Sequence, residues 1–136
     1  MARSHRRAVE IRWRDMDAFR HVNNAVYLTY LEAARDDFLL QLVGGDVGDL
    51  EDFVVRRVEI DFVSQLTQDD GAVEVEVSFD GLGSSSLRTL ERIHARSDGR
   101  LAAEARCVLV HLDAERRRSE PISGALRTKI EASAAE

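Results

Sequence analysis

Between residues 23 and 42 the apolar side chains leave an alternating pattern and recur at helical spacing, at Tyr27, Leu31, Ala34, Phe38 and Leu42. Ala25, Leu28, Tyr30, Ala33 and Leu39 widen the stripe, so this helix is expected to be largely buried. Gly44-Gly45 stops it. One long helix that must be covered, in a chain whose other segments read as strands, leaves few architectures. The strand candidates are Arg7 to Arg14, with Val9, Ile11 and Trp13 on one face, then Val58-Ile60-Phe62 and Val73-Val75-Val77-Phe79. The less regular Ser86 to Arg96 and the apolar Leu101 to Leu112 follow glycine-containing turns. Gly44 to Asp52 reads as an acidic loop. A short helix is expected after Pro121, capped by Ser123 with Leu126 and Ile130 inward, and Glu131 to Glu136 as a frayed end. This is an α+β order: a five-stranded antiparallel sheet wrapped around one long central helix. Its exposed edges make edge pairing into a dimer plausible.

With 136 residues the chain suits one domain, 1–136, with a core over about 7–113. A hydrophobic share of 44% and a charged share of 32% are those of a globular protein. The net charge of −6 argues against nucleic acid as a main partner, and no apolar run is long enough to enter a membrane. The basic start, Met1 to Arg7, lacks an apolar signal core. Cys107 alone cannot form an internal disulfide, and a cytoplasmic setting is the default expectation. His5, His21, His94 and His111 have no metal-ligand spacing, so neither metal nor cofactor is expected.

Chemistry concentrates between the first strand and the helix, in Asp15-Met16-Asp17-Ala18-Phe19-Arg20-His21-Val22-Asn23-Asn24. Asn23 suits an N-cap, its side chain accepting from the N–H of Ala25 or Val26. That leaves the Asn24 N–H without an internal partner, a donor suited to a developing oxyanion and worth about 3 kcal/mol there. An ordinary capped helix with that N–H on water is the alternative. Asp17 can activate water or attack a carbonyl, or can simply close an Asx-turn. His21 can orient Asp17 or shuttle a proton, or serve as a structural hydrogen bonder. Asp15 reads as structural, holding the loop through backbone contacts.

The run Asp17-Ala18-Phe19-Arg20-His21-Val22-Asn23-Asn24-Ala25-Val26-Tyr27, leading into Leu31-Glu32-Ala33-Ala34-Arg35, closely resembles the 4-hydroxybenzoyl-CoA thioesterase-like hotdog family. Gly83-Ser84-Ser85-Ser86 extends the likeness over the domain. The resemblance implies a hotdog fold and hydrolysis of an acyl-CoA thioester, coenzyme A being part of the substrate. It makes Asp17 the base or nucleophile, with the Asn24 N–H polarising the carbonyl and Tyr27 facing the acyl pocket. It also implies a pantetheine tunnel at a homodimer interface, with dimers often pairing into tetramers. Plant acyl-carrier-protein thioesterases carry asparagine where this chain has Phe19, which favours coenzyme A. Hotdog hydratases space aspartate and histidine by five, and Asp17 and His21 are four apart.

Asp17, Asn24 and His21 form the expected catalytic set; Tyr27, Asn23, Ser85 and Ser86 are the expected substrate-binding residues. The serines equally suit a plain turn. Arg116-Arg117-Arg118, Arg56, Arg57, Arg88 and Arg92 are candidates for the coenzyme A phosphates or for a solvated surface. Cys107 reads as core filler and Glu32 as a surface charge. A non-catalytic acyl-CoA-binding or sensor module is the alternative from another functional class, and an acyl-carrier-protein thioesterase is the other alternative.

Overall fold

A computed structural model describes residues 3–136; Met1 and Ala2, in the basic start noted above, lie outside them. The elements run β1 (Ser4–Glu10), α1 (Asn24–Leu42), α2 (Val47–Glu51), β2 (Phe53–Phe62), β3 (Ala72–Leu82), β4 (Ser86–Ala95), β5 (Leu101–His111) and α3 (Gly124–Ala134). The strands form one antiparallel sheet in the order β1-β3-β4-β5-β2. Its inner face carries Val73, Val75 and Val77 of β3 against the fully buried Leu31, Ala34, Phe38 and Leu42 of α1. The sheet wrapped on a central helix is the expected architecture, and α1 starts one residue after its cap. Burial is one-sided, however: Ala25 and Leu28 face outward with Glu32 and Asp36. No helix among the described residues is long and apolar enough to cross a membrane.

Four local expectations need correction. First, β1 stops at Glu10 and Trp13 is 76% exposed. The chain turns through a 3-10 turn at Trp13–Asp15 because the Asp15 carboxylate accepts from the Arg12 N–H (2.9 Å) and its guanidinium (2.9 and 3.1 Å). Second, the acidic loop contains α2, capped by the Asp46 side chain on the Asp49 N–H. Third, Ser123 makes no side-chain cap, and Leu126 is only half-buried. Fourth, the supposedly frayed end is helical to Ala134 and packed. Ser133 Oγ donates to the Gln41 carbonyl, and the Arg3 N–H donates to the Ala134 carbonyl at 2.8 Å. With Ile122, Ile130 and Ala134 buried, the core extends well past residue 113.

The irregularity of β4 has a physical source. Its inward row reads Leu87, Thr89, Glu91, Ile93, Ala95, with two polar residues in the interior. Arg35 of α1 meets Glu91 through two parallel bonds of 2.8 Å, and Thr89 Oγ1 donates to the same carboxylate at 2.6 Å. Burial disfavours the Arg35 charge, but the bonds from Glu91 outweigh it and keep the guanidinium protonated. Cys107 lies beside this group on the inner face; burial pushes its thiol up to about 11, as befits core filler.

Asp15 is the anchor for everything that follows. It is 2% exposed, and besides its Arg12 contacts it accepts from Tyr30 Oη of α1 at 2.8 Å. Burial alone would raise its carboxyl, yet the bonds from Arg12 and Tyr30 hold it below the usual carboxylate range. Its structural role was legible, although side chains carry as much of it as backbone does.

Two stability predictions follow from these buried groups. A carboxyl depressed in the folded state stabilises fully above its unfolded value, and that contribution fades as pH falls. Asp15→Asn should therefore cost about 2–3 kcal/mol at neutral pH. The gap to wild type should narrow steadily as urea titrations are taken below pH 4. Glu91→Gln, which leaves the Arg35 charge unpaired, should cost roughly 3–5 kcal/mol, whereas the double change Arg35→Met with Glu91→Leu should recover most of it.

Candidate active site

The loop from Met16 to Val22 is a miniature hairpin. Met16 and Val22 pair as an isolated bridge, the Asp17 N–H donates to the His21 carbonyl (3.0 Å), and the Arg20 N–H donates to the Asp17 carbonyl (3.0 Å). Arg20 takes a positive φ of 65°, the left-handed residue that closes a three-residue turn. The Val22 N–H donates to the Leu66 carbonyl (2.8 Å) and the Asn23 N–H to the Asp15 carbonyl (2.9 Å). The loop is thereby tied to both the β2–β3 connection and the Asp15 anchor.

Within this frame the Asp17 carboxylate is held by two donors. Oδ1 accepts from the Phe19 N–H at 2.9 Å, an Asx-turn, and Oδ2 accepts from Asn23 Nδ2 at 3.1 Å. The turn-closing role and an aimed carboxylate thus coexist in one residue. Each oxygen has a lone pair to spare. Asn23 Oδ1 meanwhile caps α1, accepting from the Ala25 N–H at 2.9 Å. One carboxamide therefore ties the carboxylate to the helix start.

Asn24 occupies the first helical position, and its N–H has no acceptor among the described residues. The first turn of α1 carries no acidic residue, so the positive end of the helix dipole stays uncompensated within the helix. Through Asn23 the structure thus links a held carboxylate to a helix start whose first N–H has no acceptor among the described residues.

A cleft of about 640 Å³ opens over these groups. Asp17, His21, Asn23, Asn24 and Tyr27 all line it, so five of the seven sequence-expected site residues converge. The His21 imidazole makes no hydrogen bond to Asp17 among the described residues; the link between them runs through the His21 carbonyl. Tyr27 is buried, its hydroxyl donates to the Ser64 carbonyl (3.1 Å), and burial raises its pKa. The Asn23 side chain is satisfied at both ends by the chain itself, which suits positioning better than direct substrate contact.

Ser85 and Ser86 do not join the cleft. The Ser85 carbonyl accepts from the His111 N–H, and Arg127 clamps the turn through the Gly83 carbonyl. His111 pairs with Phe53 at the start of β2, whereas the cleft lies beyond Phe62 at its end. Ten residues of strand, roughly 30 Å, separate the two places within one chain.

Of the arginine candidates, Arg92 is engaged by Glu76 and Glu104, Arg116 by Glu51, Arg117 by Glu115 and Arg57 by Glu59. The cleft also uses Phe19, Phe62, Val63, Ser64 and Gln65, none of them singled out for it from sequence. Phe62 closes an alternating strand, which was the available signal; Ser64 and Gln65 carried none. Their loop is held by Arg100, which donates to the Gln65 carbonyl at 2.7 Å while paired with Asp70.

Comparison with known proteins fits this geometry. A thioesterase from Thermus thermophilus, complexed with coenzyme A and Zn, is 37% identical with a TM-score of 0.83, covering 96% of this chain and 94% of that one. A candidate acyl-CoA thioesterase from Xanthomonas campestris is 32% identical with a TM-score of 0.73, covering 86% and 97%. A candidate thioesterase from Pseudomonas aeruginosa is 31% identical, with a TM-score of 0.77 and coverage of 93% and 97%. No curated protein matches the chain. The model of the thioesterase-like superfamily matches residues 11–130. With that match over nearly the whole described fold, the chain belongs to the thioesterase-like superfamily, a hotdog-fold hydrolase of thioesters.

Proposed function

We propose that the chain hydrolyses an acyl-CoA thioester to the free acid and coenzyme A, using Asp17 and the Asn24 N–H. The observation that carries this reading is the Asn23 carboxamide, which bonds Asp17 on one side and caps α1 on the other. It fixes a carboxylate relative to an unpaired helix N–H, the two groups that addition to a carbonyl needs. The thioester oxygen sits on the Asn24 N–H, where charge develops as the carbonyl carbon is attacked. As a base, Asp17 takes a proton from water while the hydroxide adds to that carbon. As a nucleophile, Asp17 adds directly and water then opens the anhydride. In both routes the carbon–sulfur bond breaks on collapse and coenzyme A leaves as a thiolate, which needs no strong acid. The His21 imidazole, free in the cleft, carries protons between water and product. The 37% identical Thermus thermophilus thioesterase complexed with coenzyme A supports the choice of carrier.

The site is completed by a second copy. Strand β2 is a sheet edge of ten residues whose outer backbone groups lack a strand partner. Val54, Val55, Phe62 and Val63 are exposed along it. Antiparallel pairing of β2 with its copy about a twofold axis covers this edge and exchanges its two ends. Ser85 and Ser86 of the partner subunit then lie at the same end of the joined sheet as Asp17, along the path of a long pantetheine arm.

Asp17→Asn should lower kcat on acyl-CoAs by about 10³-fold with an unchanged circular dichroism spectrum. Asn23→Ser, which keeps a cap but drops the bond to Asp17, should lower it by about 10- to 100-fold. Wild-type turnover in the first variant removes Asp17 from the mechanism. Sedimentation of the wild-type chain should give the mass of a dimer or larger; a monomer that turns over at full rate ends the shared-site reading.

A further inference from the structure

We propose that the Tyr27–Phe62 pair forms the end wall of the acyl site and restricts the enzyme to short acyl groups. This rests on the acyl-CoA reading above and adds the class of substrate.

Tyr27 lies three residues after Asn24, so the two share a helix face about 4.5 Å apart along the axis. Helical side chains lean toward the N-terminus, which brings the Tyr27 ring back toward the turn where the carbonyl is held. The ring cannot swing away. Its hydroxyl is bonded to the Ser64 carbonyl at 3.1 Å, and the side chain is only 3% exposed. From the opposite side Phe62, the last residue of β2 and opposite Ala103 on the inner face, meets it edge to face. The ring centroids are 5.1 Å apart and the planes are inclined by 78°. Helix and sheet edge are thus bridged by two aromatic rings, and both line the cleft.

Close packing lies behind them. Tyr30, Leu31 and Ala34, the next residues on the buried side of α1, are at most 2% exposed, and close-packed interiors do not yield to an advancing chain. An acyl chain whose carbonyl rests on the Asn24 N–H therefore meets the wall after about one helical turn. Phe62 is the adjustable half: it is held by packing at the β2 edge that the second copy covers, whereas Tyr27 is fixed by burial and a hydrogen bond.

The test is kcat/KM of the full chain on acetyl-, butyryl-, octanoyl- and palmitoyl-CoA, with free thiol as the readout. Wild type should favour acetyl and butyryl. Phe62→Ala should raise the octanoyl-to-butyryl ratio by about tenfold or more, and Phe62→Trp should lower it. Because Phe62 lies on the edge strand, both variants are checked for wild-type sedimentation. Tyr27→Phe, which keeps the ring and frees it from Ser64, gives a third variant away from that edge and should raise the ratio by a smaller factor. A wild type that prefers palmitoyl, or a ratio unmoved by all three changes, overturns the wall while leaving the thioesterase reading intact. No thiol release from any of the four by the wild-type enzyme overturns both.

Discussion

The buried Asp15 carboxylate is the constraint on which the cleft at the start of α1 depends. It collects donors from Arg12 on the way out of β1 and from Tyr30 on α1, and its own carbonyl receives the Asn23 N–H. Three pieces of chain that are distant in role meet at one residue. It holds the approach to the Met16–Val22 loop, while the Val22 N–H on Leu66, the Gln68 N–H on Met16 and the Asn23 carboxamide on Asp17 hold the loop itself. Asp15, two residues before Asp17, thus anchors the connection between β1 and α1. The cost of desolvating its charge is met by several good bonds, the condition under which buried carboxylates are tolerated.

A second polar group, the Arg35–Glu91–Thr89 cluster, does comparable work deeper inside by fixing α1 against β4. Two apolar residues of similar volume would satisfy the packing, but they would accept several helix positions. A bidentate pair accepts one. The N-terminus of α1, where Asn24 lines the cleft, is thereby held at one rotation of the helix.

Much of this was readable from the chain, and the reasons differ by element. The long helix and its cap were legible because Asn23, the apolar stripe and Gly44-Gly45 act locally. Strand β3 was legible because Val73, Val75, Val77 and Phe79 alternate with polar residues. The end of β1 was not, because Ile11 and Trp13 continue the alternation while the turn is dictated by Asp15, whose partners Arg12 and Tyr30 are set by the tertiary fold. The order in α3 was hidden for the same reason: Ser133 and Ala134 give no sequence signal, and their partner Gln41 is remote in sequence. That Asp17, Asn24 and Tyr27 would share one cleft was legible chiefly through the family motif. Phe62 and Ser64 were not, since nothing local distinguishes a strand residue that lines a cleft from one that lines the core. The separation of Ser85 and Ser86 from Asp17 is visible only once the sheet order is known.

The packing of α3 bears on how the molecule comes into being. Arg3 bonds to Ser133 and to the Ala134 carbonyl, so the entrance to the first strand is secured by residues about 130 positions later. Arg127 of the same helix clamps the turn between β3 and β4. Contacts of such long sequence separation form late and slow the search for the native state. On a translating ribosome, the sheet and α1 can assemble before α3 exists, but the seat that α3 fills stays open until residues 124–134 emerge. During that interval the apolar inner end of α1 and the unpaired β2 edge are exposed together. Docking of α3 closes the end of α1, whereas the β2 edge stays open until another strand pairs with it.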